Sequence, residues 1–203
     1  MSFRDLFRHF REMNKYFIAT TIVLIWGIVL GYAYPERFSA FLESQIQGLE
    51  RIARDLSQKE NPYLWFFGFI FINNALKSVL MVFSGALFGV LPIGFLLVNG
   101  MVLGFLASQQ AAAGQLDFFL KAILPHGVIE IPAVVLACAY GIKFGTIVAR
   151  GIVSFLFFPN RSAVAAEMRR FLRLTVPLAG LLIGGLLLAA FIESTVTPLI
   201  IGS

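Results

Sequence analysis

"LWFFGFIFINNALKSVLMVFSGALFGVLPIGFLLVNGMVLGFLASQ", residues 64–109, carries a single formal charge, Lys77. One membrane-crossing helix takes about 20 apolar residues, so this run is two crossings long and has to turn within itself. Gly85, Gly89 and Pro92 in "SGALFGVLP" supply the turn signals. The reading is a helical hairpin, with spans at about 64–86 and 91–109.

The rest of the chain agrees with a membrane setting. Of its 203 residues 59% are hydrophobic and 13% charged, too little polar surface to cover a soluble domain of this size. The net charge of +5 comes from basic residues crowded into a few loops, which is a topology signal and not a nucleic-acid footprint. Cys138, the single cysteine, lies in an apolar run and reads as a helix-packing residue.

Tyr16 to Tyr34 is the first span, and residues 1–15 are a basic cytoplasmic segment. The start resembles a signal peptide, but the apolar stretch is long enough to cross and no small-residue cleavage site follows, so a retained helix is expected. Residues 35–62 place Phe38, Phe41, Leu42, Ile46, Leu49, Ile52, Ala53 and Leu56 at spacings of three and four, between Pro35 and Pro62. That pattern predicts an extracytoplasmic amphipathic helix too charged to span. After "QQAAAGQLD" a fourth apolar region, 117–141, is interrupted by "LPHG". Pro125 and Gly127, with Pro132 beyond, suggest a broken or re-entrant helix, an arm over 117–124 followed by a spanning part over 126–141. Residues 142–170 carry Lys143, Arg150, Arg161, Arg169 and Arg170 and read as a basic interfacial segment; 172–193 is the last span.

Five crossings with the N-terminus inside put Arg4, Arg8, Arg11, Lys15 and the six Lys and Arg of 142–173 in the cytoplasm. The opposite face receives 35–62, where four basic residues meet five acidic ones, and the positive-inside rule is met. A six-crossing alternative, with 142–159 spanning, buries Arg150 at roughly 2.5–3.5 kcal/mol on insertion scales.

Polar residues within spans are expensive and invite a functional reading. Asn73, Asn74 and Lys77 share a face of the second span; His126 and Glu130, four apart, share a face of the fourth; Asn99 is a sixth candidate. Lys77 and Glu130 are a natural pair. Two readings stand: an interhelical polar clasp that fixes helix register, or a polar path for transport or conduction. A metal or hydrolytic centre ranks third. His126 and Glu130 supply only two ligands where catalytic zinc takes three, and H-E-x-x-H and G-x-S-x-G are absent. No cofactor is expected. Gly85 with Gly89 and Gly100 with Gly104 fall at small-xxx-small spacing, as do Gly27 with Gly31, Gly141 with Gly145 and Gly180 with Gly184, and predict close helix packing.

"FINNALKSVLMVFSGALFGVLPIGFLLVNGMVLGF" and "ILPHGVIEIPAVVLACAYGIKFG" resemble the stage II sporulation protein M family. Asn73, Asn74, the glycine pairs, Asn99 and the Pro125-His126-Gly127, Glu130, Pro132 series carry the likeness. The resemblance implies a protein of about five membrane helices. In endospore formers the family's namesake acts in engulfment, at the septal membrane, with two partners that remodel peptidoglycan. The expectation is an all-α polytopic bundle in the plasma membrane, a non-enzymatic scaffold that forms homo-oligomers through glycine-rich faces and meets the lipid bilayer and envelope-remodelling proteins. The alternative is a small transporter or channel lined by Asn73, Asn74, Lys77, Asn99, His126 and Glu130.

Overall fold

The computed structural model describes residues 9–157 and 162–196, apart from the side chains of His126 and Val196. Among them the secondary structure is helical: α1 Asn14–Ala33, α2 Pro35–Ser57, α3 Pro62–Ser84, α4 Val90–Ala112, α5 Leu116–Phe157 and α6 Ser162–Phe191, then a π turn at Ile192–Val196. Five stretches are long and apolar enough to cross a membrane: α1, α3, α4, Gly127–Phe157 of α5, and Ser162–Thr195.

The expected hairpin is present as α3 and α4. Gly89 takes the left-handed conformation, φ 78°, that lets the chain reverse in a few residues, and its amide donates to the Gly85 carbonyl at 2.9 Å. Pro35 and Pro62 occupy the first turns of α2 and α3, where the missing amide costs nothing.

The two arms of the hairpin pack mainly on other partners. α4 lies along α1, whereas α3 packs on α5 and α6. Glycines make the first pairing possible. A β-carbon on Gly27 would stand 2.5 Å from the Leu97 carbonyl oxygen and 3.0 Å from the Gly100 α-carbon, and Gly31 and Gly104 are as tightly faced by the Met101 and Ile28 carbonyls. A second glycine seam ties the α3–α4 turn to α5: Gly85 meets the backbone of Gly141, and a β-carbon on Gly145 would lie 2.5 Å from the Gly89 nitrogen. The bundle is therefore two packed groups, α1 with α4 and α3 with α5 and α6, joined at the end that carries the N-terminus. Tyr16 of α1 also reaches Thr146 of α5 there, hydroxyl to hydroxyl at 2.9 Å.

The main core sits at that joint. Phe171 is stacked on Phe144 at 5.1 Å and packs at 5.3 Å against Tyr140. α6 buries Phe171, Leu174, Leu178, Leu182 and Leu186, a stripe at helical spacing. That stripe decides the outcome for Gly180 and Gly184: two positions off it, they point to the far side, with nothing within 4 Å of either. The expected close packing at this pair is absent among the described residues.

α2 lies across the other end. Its first half docks through the fully buried Leu42, with Phe38 and Ile46, on Met101 and Phe105 of α4. The second half, Leu49 to Leu56, hangs over the space between the two groups.

Two expectations about the fourth apolar region are corrected. The helix does not break at Pro125–Gly127; α5 runs without interruption through both Pro125 and Pro132. Prolines seven residues apart lie on one face two turns apart, and membrane helices tolerate them because only two rungs are lost while neighbouring turns hold. Nor do residues 142–170 form an interfacial segment. Residues 142–157 continue α5, giving it a length of roughly 63 Å, and α6 begins at Ser162, ten residues before the expected span. Three of the basic residues that suggested an interface are partnered, Lys143 by His9, Arg150 by Glu167 at 2.8 Å and Arg170 by Glu12 at 2.9 Å, and Arg161 lies outside the described residues.

Candidate functional site

Between the two helix groups, on the α2 side of the bundle, lies a cleft of about 470 Å³. Each helix presents one face to it at helical spacing: Phe66, Phe69, Ile70, Asn73, Asn74 and Lys77 from α3, Asn99, Val102, Leu103 and Leu106 from α4, and Ile123, Gly127, Glu130, Ile131 and Val134 from α5. Leu49, Ile52, Ala53 and Leu56 of α2 form the roof. Leu24 of α1 and Glu193 of the π turn complete it. Asn73, Asn74, Lys77 and Asn99 lie near the middle of α3 and α4, whereas Glu193 stands in the turn beyond the end of α6.

Of the six intramembrane polar candidates, Asn73, Asn74, Lys77, Asn99 and Glu130 line this cleft. Asn73 donates its amide to Asn74 Oδ1 at 3.2 Å, and Asn74 donates to Glu130 Oε1 at 2.9 Å. This is a directed chain from α3 to α5 in which the carboxylate is the terminal acceptor. Glu130 is thus met by Asn74 and not by the ammonium of Lys77, which is exposed and one turn further along α3. Asn99 is exposed on the α4 wall and bonds its own helix, Nδ2 donating to the Phe95 carbonyl at 2.7 Å. His126 lies within the continuous α5, and its side chain is outside the described residues.

Gly127 differs from the seam glycines. A β-carbon there would meet only Ile123 at 3.3 Å and Ile131 at 3.6 Å, both of its own helix. What Gly127 provides is room in the cleft one turn before Glu130, not close approach of a second backbone.

Glu193 escaped the sequence reading, which ended the last span there. The signal was available: a carboxylate directly after a long apolar helix is unusual enough to ask about. Among the described residues no group of three His, Cys, Asp or Glu side chains stands close enough to hold one metal ion.

A second polar cluster, also missed, closes the opposite end. Lys143 is buried, and its Nζ lies 3.2 Å from His9 Nε2. His9 packs edge-on against Tyr140 at 5.5 Å, and Tyr140 Oη is buried with no hydrogen-bond partner among the described residues. Burial, and after it the positive charge of Lys143, push the His9 imidazole down to about 4, so it is neutral at pH 7 and accepts from the ammonium. Around this pair Arg170 donates to Glu12 at 2.9 Å, which holds the Glu12 carboxyl below its ordinary range. The cluster fastens residues 9–13 to α5 and α6. It reads as a structural seal.

Comparison with known proteins gives two findings. The family model described as "Stage II sporulation protein M" matches residues 17–198. A protein of Methanocaldococcus jannaschii described as "Uncharacterized protein MJ0706" is 29% identical over 112 residues, which is 54% of this chain and 47% of that protein, so the chain spans about half of its relative's length. No solved structure matches.

Proposed function

Because the chain belongs to the stage II sporulation protein M family, we propose that it is a multi-pass plasma-membrane protein with a cytoplasmic N-terminus, and that it acts by binding a small amphiphilic molecule in the cleft and carrying it across part of the bilayer. The orientation rests on charge: the joint end holds Arg11, Lys15, Lys143, Arg150, Arg169, Arg170 and Arg173, whereas α2 is nearly balanced. The single observation that carries the binding reading is the cleft itself, whose volume falls in the range of small-molecule sites, about 300–1,000 Å³, and whose mostly apolar lining carries a few polar groups. Its position between two helix groups is where membrane transporters place a substrate.

The test is whether the cleft is wet. In an Asn99→Cys variant a charged methanethiosulfonate reagent should modify the new thiol rapidly, because the reagent needs water and a thiolate. Leu80→Cys, on the outer surface of α3, should stay inert, as should the buried Cys138. An inert Asn99→Cys would sink the reading.

One feature favours a second reading, that of an assembly scaffold for envelope proteins. Gly180 and Gly184 leave an open, small-residue face on α6 that another membrane helix could approach closely. Gly180→Ile should then abolish cross-linked oligomers or hetero-complexes in membranes; unchanged cross-linking removes that reading.

A further inference from the structure

The cleft lining is charged, and among its described residues the two signs are unequal. The carboxylates of Glu130 and of Glu193, the latter in the turn beyond the end of α6, stand against the ammonium of Lys77, with the neutral amides of Asn73, Asn74 and Asn99. Glu130 already receives the Asn74 amide. Glu193 has no hydrogen-bond or ion-pair partner among the described residues, whose ion pairs join Arg170 to Glu12, Arg54 to Glu50, and Arg150 to Glu167.

Its position makes this costly. The core-facing stripe of α6 runs through Leu178, Leu182, Leu186 and Ala190, and the next turn places Glu193 where another leucine would continue it. Here the helix widens into the π turn Ile192–Val196, held by Ser194 and Thr195, whose hydroxyls both return to the Phe191 carbonyl, at 3.2 and 2.5 Å. Such turns are rare and concentrate at functional sites. An ionised carboxylate in apolar surroundings is unfavourable until a cation meets it.

We infer that the ligand of the cleft is an amphiphilic organic cation, with Glu193 as its counter-ion and its apolar body held by Phe66, Phe69, Leu103 and Leu106 beneath the α2 roof. Lys77 formally offsets one carboxylate, and the cation offsets the other. The inference rests on the binding reading above and adds the sign of the ligand's charge.

Tetraphenylphosphonium and tetraphenylborate share a shape and differ in charge, so they isolate that sign. With the purified full-length protein in a neutral detergent, equilibrium dialysis should show saturable binding of the phosphonium at least tenfold tighter than any binding of the borate. Glu193→Gln should weaken phosphonium binding about tenfold or more and leave the melting temperature close to that of the parent. Borate binding as tightly as the phosphonium overturns the inference, as does a folded Glu193→Gln protein with undiminished affinity. The comparison of the two ions on the parent protein decides the matter even if the variant fails to fold. An Asn99→Cys thiol that reacts while neither ion binds refutes the cation assignment alone. An inert thiol removes the cleft reading on which the assignment stands.

Discussion

A single methyl group placed on different glycines should move stability in opposite directions. At Gly100 a β-carbon would lie 2.5 Å from the Leu24 carbonyl oxygen, 3.0 Å from the Gly27 α-carbon and 3.0 Å from the Ile28 nitrogen. All three are backbone atoms, so no side chain can rotate away. To reach an ordinary carbon–oxygen separation of about 3.4 Å, α1 and α4 must part by roughly 0.9 Å, and a gap of that size forfeits a quarter to a half of the dispersion energy along the seam. Overpacking of this kind costs about 1–3 kcal/mol. Alanine returns about 0.5–1 kcal/mol through its higher helix propensity, which at the middle of both ranges leaves Gly100→Ala destabilising by about 1 kcal/mol. At Gly180 nothing lies within 4 Å, so only the propensity gain remains, and Gly180→Ala should stabilise by about 0.5–1 kcal/mol. Reversible unfolding of both variants in mixed micelles, titrated with sodium dodecyl sulfate and followed by circular dichroism, measures the difference directly. Equal effects at the two positions would show that the α1–α4 seam is not in backbone contact, and the two-group architecture would fall with it.

Two further outcomes test the polar groups. Asn74→Leu removes the donor that meets Glu130 and should destabilise by about 1–2 kcal/mol, whereas Glu130→Gln keeps an acceptor oxygen in place and should cost less than about 1 kcal/mol; the same micelle titration reads both, and the reverse ranking refutes the directed Asn73–Asn74–Glu130 chain. At the other end, His9 has a folded value of about 4 against an ordinary 6.5, so the unfolded state binds more protons between those limits. Its contribution is complete above pH 6.5 and is lost as pH falls from 6.5 to 4, about 3 kcal/mol for the full 2.5-unit difference. Glu12, whose carboxyl is also held low, loses its contribution with the same sign at still lower pH. Melting temperature should therefore drop between pH 7.5 and 4.5, and His9→Gln, which still accepts from Lys143 but does not titrate, should flatten that slope; an unchanged slope refutes the assignment.

Much of this fold could be read from local pattern, because local physics determines it. The hairpin follows from one charge in 46 residues and a Gly-Gly-Pro turn, and α2 follows from apolar residues at spacings of three and four. Asn73, Asn74, Lys77, Asn99 and Glu130 could be grouped because each is a polar side chain where water is scarce. Other features depend on tertiary context. Pro125 and Gly127 carry a helix-break signal in isolation, yet a long helix packed on α3 and α6 absorbs them. Gly180 and Gly184 have the spacing of a packing motif, but the leucine stripe of α6 sets which face is inside. His9 and Lys143 are 134 positions apart and belong to no shared pattern. Glu193 gains meaning only when the turn after α6 is seen to carry it into the cleft.

The distribution of contacts implies how the cleft can open. The joint end is closed by the seam of Gly85 and Gly89 on Gly141 and Gly145, the Phe144–Phe171 stack and the His9–Lys143 seal, all backbone-close or fully packed. Across the cleft, the one direct bond described between polar side chains is Asn74 to Glu130, and it lies within the α3–α5 group, not between the groups. The α1–α4 group is tied to the other at the joint, where the α3–α4 turn meets Gly141 and Gly145 and where Tyr16 meets Thr146. Two stiff bodies joined at one end and separated by a cleft at the other can rotate apart with little loss of packing, and the apolar roof residues Leu49, Ile52 and Leu56 would be the first contacts given up. A ligand that bridges from the Glu193 side to the Asn99 wall would draw the two groups together. On the proposed binding reading, binding and closure would be one event, because the rigid seam lies far from the polar residues of the cleft.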